Sequence, residues 1–198
     1  MTSRIDLHVH SSCSDGKYPP AQLVHMAAEH GVDVLALCDH DCIDGIEEAQ
    51  RAGVNIGVML IPGVEFSCVW EAASRSYTDI HLLGYGFCPE DAVLQGALRE
   101  FQSFRALRNE RIVSNVNAML ERAGYPGLDF KAVKRRAGGS IGRPHIAMEL
   151  IEQGYAADVE EAFRRYLVPS NVAKRFFPVQ EAIAMVHAAG GVAVLAHP

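Results

Sequence analysis

No apolar run in this sequence approaches the ~20 residues needed to span a bilayer. Its first residues, Met1-Thr2-Ser3-Arg4, enter a strand-like stretch with no apolar segment of the kind a secretory leader carries. A cytoplasmic protein with no membrane partner is expected. Disulfide signals are missing as well: five cysteines (Cys13, Cys38, Cys42, Cys68, Cys88) are an odd number, and their spacing fits neither a zinc ribbon nor a bridged framework. Reduced thiols follow, with Cys38 a small core residue. There is no internal repeat, no low-complexity tract and no sign of an obligate protein partner. A net charge of −6 exerts no overall pull on nucleic acid.

What is present is a globular composition, 49% apolar and 21% charged, in a chain of 198 residues. That length supports one good core with room for a subdomain. The charge is unevenly spread. Residues 89–178 hold 14 of the 18 Lys and Arg but only 11 of the 24 Asp and Glu, so this stretch is mildly basic and the remainder strongly acidic. An acidic part attracts cations, and a basic part can meet an anionic substrate.

The first half alternates strand and helix. Strands are expected at 4–9, 33–38, 58–61 and 79–86. Helices are expected from Pro20 to His30, closed by Gly31, and from Asp44 to Ala52, closed by Gly53. Short connections between such elements indicate parallel βαβ units. The pattern changes at Cys88-Pro89, where a long helix over about 90–123 begins. Shorter helices are expected near 130–136, 144–153 and 158–166, and helix 179–189 and strand 192–196 follow. The fold class is therefore α/β. Residues 1–88 and 178–198 form part of a (β/α) barrel, and 89–177 form an inserted helical subdomain. Complete eight-stranded barrels need about 250 residues, so the barrel as given is incomplete and a longer parent chain is expected.

The apolar runs share a feature. In Ile5-Asp6-Leu7-His8-Val9-His10, residues two apart on a strand point to one side, so His8 and His10 present two imidazoles together. Asp15 follows in a Gly-containing loop. Asp39-His40-Asp41 ends the second run, Glu65 the third, His81 lies in the fourth and His197 ends the fifth. Ligands at strand ends occupy the place where α/β barrels put their chemistry. Several histidines with a few carboxylates suit Mn, Fe or Zn better than Mg or Ca, and Glu65 has two oxygens with which to bridge two ions. Clustered divalent ions neutralise phosphoryl oxygens and lower the pKa of water, so phosphate-ester hydrolysis needs no protein nucleophile.

Simpler readings stand beside this one. Asp15 could cap its turn, His40 could be held by Asp39 or Asp41, and His81 could be a satisfied core histidine. Asp6 suits a supporting role deeper in the strand. In the basic stretch Arg105, Arg108 and Arg111 fall at i, i+3 and i+6 of a helix, and the first two share a face. Arg143 precedes His145 in a Gly/Pro turn. Guanidinium forks suit phosphate oxygens, while His145 serves equally as a phosphate ligand or as a cap for the helix after it.

Asp6-Leu7-His8-Val9-His10-Ser11, with Ser14-Asp15-Gly16, resembles the opening motif of the PHP (polymerase and histidinol phosphatase) family of metal phosphoesterases. Asp39-His40-Asp41, Gly63-Val64-Glu65-Phe66-Ser67 and Ala196-His197-Pro198 resemble its later motifs. The helical insertion and Ile141-Gly142-Arg143-Pro144-His145 make the chain similar to one branch, the 3′,5′-nucleoside bisphosphate phosphatases and RNase AM. The resemblance implies a PHP-type distorted barrel and up to three divalent ions, with Mn2+ first and Fe2+ or Zn2+ as alternatives. The first ion would take His8, His10 and Glu65, the second Asp15 and His40, and the third Glu65, His81 and His197. The family's late Asp-x-His motif, which adds one ligand each to the first and second ions, does not occur before Pro198. The resemblance also implies substrate binding by Arg105, Arg108 and Arg143, beside which His145 is expected. Asp39 or His40 would protonate the leaving oxygen. The expected activity is removal of the 3′-phosphate from nucleoside 3′,5′-bisphosphates, with trimming of short RNA 5′ ends as in some members. A histidinol-phosphate phosphatase and a non-catalytic metal-binding module are the alternatives.

Overall fold

A computed structural model describes residues 3–71, 77–137 and 141–197. The chain divides into two compact units, residues 1–101 with 176–198, and residues 102–175.

The first unit is a sheet covered by helices. Strand β1 (Ile5–Val9) leads to helix α1 (Pro20–Glu29), β2 (Val34–Leu37), α2 (Ile46–Ile56), β3 (Met59–Glu71) and β4 (Tyr77–Tyr85). Helix α3 (Ala92–Arg122) starts in this unit, and β5 (Phe177–Pro178), α7 (Val179–Ala188) and β6 (Val192–Leu195) complete it. The strand order is β1-β2-β3-β4-β6, with β5 beside β3. β1, β2 and β3 are parallel, as the βαβ spacing predicts, but β4 runs antiparallel to both β3 and β6.

β2 is buried on both faces. Leu35 and Leu37 pack with Val24, Ala27, Ala49 and Val58, while Ala36 and Cys38 pack on the opposite side with Leu83 and Ala196. That two-sided burial explains why this run lacks alternating polarity. A third cluster holds Phe66, Leu82, Val186, Leu94, Leu98 and Phe101. The first turns of α3 thus pack with the sheet, and the first compact unit runs to Phe101.

Two expected boundaries move. Helix α2 does not stop at Gly53; it continues to Ile56 and is closed by Gly57 in the left-handed conformation (φ +87°). Gly53 lies inside the helix because a Cβ there would stand 2.5 Å from the Val58 carbonyl oxygen, so the residue is small for close approach and not for termination. The third strand is 13 residues long instead of four. Met59–Pro62 pair with β2, and from Gly63 onward β3 pairs with β4. The change of partner falls at Pro62, which has no N–H to give, and at Gly63, where a Cβ would meet Leu37 O and Cys38 Sγ at 2.6 Å. Glu65 therefore sits inside a strand and not at its end. The two-residue β5 has no strand signature of its own.

The second unit is helical. It contains the later part of α3, then α4 (Phe130–Ala137), α5 (Arg143–Glu152), α6 (Val159–Ala162) and a π-helical turn, Phe163–Leu167. Ile112, Val113, Val116 and Leu120 of α3 form one stripe, packed against Val133, Ile146, Leu150 and Leu167. Asp158 caps α6 by accepting from Glu161 N at 2.8 Å. No described helix is long and apolar enough to cross a membrane.

Candidate metal centre

Glu65 is 1% exposed, and five imidazoles surround its carboxylate. Oε2 lies 3.0 Å from His8 Nε2, 3.1 Å from His10 Nε2 and 3.3 Å from His40 Nδ1. Oε1 lies 2.8 Å from His81 Nδ1 and 3.1 Å from His197 Nε2. Asp15 lies 3.5 Å from both His10 Nδ1 and His40 Nε2. All seven residues that the sequence offered as ligands are thus brought together in the sheet unit.

The sheet explains the convergence. His8 and His10 leave the end of β1, where a register irregularity between Asp6 and Val9 re-aims the chain. His40 follows β2 and is strapped to β3 by two backbone bonds, Asp41 N to Glu65 O (3.0 Å) and Glu65 N to Asp39 O (3.2 Å). β4 runs the other way, so His81 reaches the site from within its strand: it pairs with Ser67 and lies diagonal to Glu65 on the same face. His197 follows β6.

Hydrogen bonding alone does not account for this donor set. Three ring nitrogens within 3.3 Å of Oε2 exceed the two lone pairs of one carboxylate oxygen. The Nδ1 atoms of His10 and His40 are buried without a hydrogen-bond partner. Burial pushes the pKa of His40 down, which keeps the ring neutral with a lone pair to donate. Burial also opposes protonation of His10, but the Glu65 hydrogen bond and the charges of Asp15, Glu65 and Asp39 leave its pKa above the ordinary value. Burial would raise the pKa of Glu65, yet hydrogen bonds from His10 and His81, the charge of His40 and a bond from His8 hold it well below the usual carboxylate range. Three groups have ligand atoms close enough to share a cation: His8, His10 and Glu65; His10, Asp15 and His40; His40, Glu65 and His81. The residues fit divalent metal ions.

The two aspartates beside His40 each tie a neighbouring segment. Asp39 is 1% exposed; its Oδ1 accepts from Ser11 N (2.7 Å) and Ser14 Oγ (2.6 Å), and its Oδ2 from Ser11 Oγ (2.6 Å). Those three short bonds fix the loop that carries Asp15. Asp41 accepts from Ser67 N (2.7 Å) and Ser67 Oγ (2.8 Å) and sits at φ +51°. A left-handed aspartate is uncommon and is held here by those bonds. Together the pair clamps His40 between the loop and β3. The sequence offered Asp39 or Asp41 as a holder of His40; the partner through which Asp41 acts, Ser67, carried no signal.

In the helical unit, Arg108 is 7% exposed, with Nε donating to Val172 O (2.8 Å) and Nη2 to Asn171 Oδ1 (2.9 Å). Its guanidinium is buried and bonded, not solvated. Arg143 Nη1 reaches the same Asn171 Oδ1 at 3.4 Å. Arg105 Nη2 and His145 Nδ1 each lie 3.8 Å from where a Cβ on Gly142 would stand. His145 Nδ1 accepts from Gly142 N at 3.0 Å, a contact that caps α5. Buried Asn109 ties α3 to this turn through Nδ2, which donates to Ile141 O at 3.0 Å. Neither Asn109 nor Asn171 carries a local sequence signal.

The PHP domain model matches residues 6–167. The chain belongs to the PHP family. This PHP chain is 41% identical over 201 residues to a 5′–3′ exoribonuclease of Haemophilus influenzae, covering 100% of itself and 70% of that protein. It is 35% identical to a 3′,5′-nucleoside bisphosphate phosphatase of Chromobacterium violaceum, covering 99% of itself and 67% of the relative. Among solved structures, a proposed metal-dependent phosphoesterase of Bifidobacterium adolescentis superposes with a TM-score of 0.84 at 27% identity, over 100% of this chain and 68% of the other. The α/β class and the PHP-type architecture expected from the motifs are therefore present.

Proposed function

We propose that this PHP chain carries the metal centre and anion-binding groups of a phosphoesterase that removes the 3′-phosphate from nucleoside 3′,5′-bisphosphates and trims short RNA from the 5′ end. The observation that carries the reading is the convergence of His8, His10, Asp15, His40, His81 and His197 on the buried Glu65 carboxylate. The names of the two relatives favour the same substrate classes. Manganese is the preferred ion, with iron(II) and zinc as alternatives that the same nitrogen-rich set accepts.

His8, His10 and Glu65 would hold one ion, Asp15 and His40 a second, and Glu65, His81 and His197 a third. Such ions neutralise phosphoryl charge and make water a nucleophile near neutral pH. The protein's own part is to present the ring nitrogens, to keep Glu65 ionised, and to fix His40 through its aspartate clamp. The proton for the leaving oxygen is assigned to Asp39 or His40, the two candidates beside the donor set. Arg105, Arg108 and Arg143, with His145, bind the substrate's other phosphate. The helical region 89–177 is read as an insertion into the family's barrel, and the cytoplasm as the compartment.

Histidinol phosphate has no second phosphate for the arginines, and a non-catalytic module has no use for a near-complete donor set. The test is His10→Ala assayed with manganese on adenosine 3′,5′-bisphosphate and on histidinol phosphate. The parent chain is expected to prefer the bisphosphate, and the variant to lose turnover with its circular dichroism spectrum intact. Full turnover by the variant would overturn the metal reading, and preference for histidinol phosphate the substrate reading.

A further inference from the structure

Two cationic side chains of the helical unit converge on one neutral atom. Asn171 Oδ1 accepts from Arg108 Nη2 at 2.9 Å and lies 3.4 Å from Arg143 Nη1, while the next residue, Val172, takes Arg108 Nε through its carbonyl oxygen at 2.8 Å. A stretch of two residues therefore sets the plane of one guanidinium and the reach of the other. Arg143 also leans over the Phe163 ring, 5.4 Å from its centroid, which limits its freedom further.

Paired arginines held this close ordinarily share a carboxylate. Here neither Arg108 nor Arg143 has a carboxylate within ion-pair distance among the described residues, although Arg108 is 7% exposed. The uncompensated charge registers on Arg108, whose pKa is pushed down by burial and by the positive charges of Arg143 and Arg105. The arrangement has oriented donors and fixed geometry, and it lacks a counter-charge.

We propose that Asn171 is a positioning and specificity residue: it aligns the guanidiniums of Arg108 and Arg143 through a neutral acceptor, so that their charge stays available for one phosphate group of the substrate. This inference rests on the reading that those arginines bind substrate phosphate. An aspartate has the same shape, but it would supply the counter-charge from within the protein and compete with the ligand. Neutrality at this position is then what keeps the site open to an anion.

The decisive variant is Asn171→Asp in the full chain, compared with Asn171→Ser, which keeps a small neutral acceptor. Binding of adenosine 3′,5′-bisphosphate is measured by titration calorimetry and the melting midpoint by scanning calorimetry. Asn171→Asp is expected to keep or raise the midpoint while weakening binding by about tenfold or more, the scale of one lost charge-assisted hydrogen bond. Asn171→Ser is expected to bind more tightly than the aspartate variant despite a lower midpoint. A merely structural role would make affinity follow stability, and an aspartate variant that binds as well as the parent overturns the proposal. Arg143→Ala separates the two layers of argument. Weaker binding by Arg143→Ala with unchanged binding by Asn171→Asp removes this inference alone, whereas unchanged binding by Arg143→Ala removes the phosphate reading beneath it.

Discussion

The sheet unit gathers five imidazoles around a buried carboxylate, and the helical unit gathers two guanidiniums around a neutral amide. Both are convergent clusters, but the atom at the focus differs in charge and so does the guest. Ring nitrogens gathered around an anion make a place for cations, since an imidazole that holds a metal supplies a donor atom without negative charge. Fixed cations around a neutral acceptor make a place for an anion, since no carboxylate among the described residues cancels them. Reversing either central charge should convert a binding site into a salt bridge or an empty polar hole.

The largest effect expected from this contrast is at Glu65. Glu65→Gln keeps the size of the side chain but replaces one carboxylate oxygen with an amide and removes the charge that five rings face. Loss of manganese affinity should exceed the roughly 100-fold that substitutions outside the ligand shell reach. Bisphosphate binding through the arginines, measured without metal, should stay. Titration of both ligands on one preparation checks this, and joint loss would show that the two clusters are not separable.

Asp39 comes next. If it holds the Asp15 loop, Asp39→Asn should lower turnover about 10- to 100-fold, the usual range for groups that orient ligands. The factor should be the same for a nucleotide ester and for an aryl phosphate whose leaving group needs no proton. A proton donor behaves otherwise, because its loss spares the aryl ester. Parallel kinetics on the two substrates therefore distinguish a clamp from an acid.

The same contrast marks what was legible in the sequence. His8, His10, His40 and Glu65 announce themselves because strand periodicity and short motifs are local, and each sits within a few residues of an apolar run. The length of β3 was hidden because a strand that changes partners midway reads as two signals, with Pro62-Gly63 looking like an end. Gly53 misled for a related reason: a glycine that permits close packing and one that stops a helix are the same letter, and only the Val58 carbonyl distinguishes them. Asp41 and Asn171 act on partners 26 residues away and, for Arg108, 63 residues away. No spacing rule reaches that far. The arginines themselves were visible only as a helical i, i+3 pair, and their burial and shared acceptor are products of the fold.

The smallest effect belongs to α3, the element that runs through both units. Gly96 is exposed within it, and a Cβ there would meet nothing within 4 Å. A helical glycine with open space around it carries only the entropic penalty of its unfolded freedom, so Gly96→Ala should stabilise the protein by about 0.5–1 kcal/mol. Urea denaturation followed by circular dichroism measures that gain. Manganese and bisphosphate affinities should both stay unchanged, because nothing at residue 96 touches either cluster and the substitution acts mainly on the unfolded chain. A stabilised variant with altered affinity for one ligand would mean that the stiffness of α3 is felt at that site. The division into a self-contained cation cluster and a self-contained anion cluster would then have to give way to a description in which the shared helix sets the properties of at least one of them.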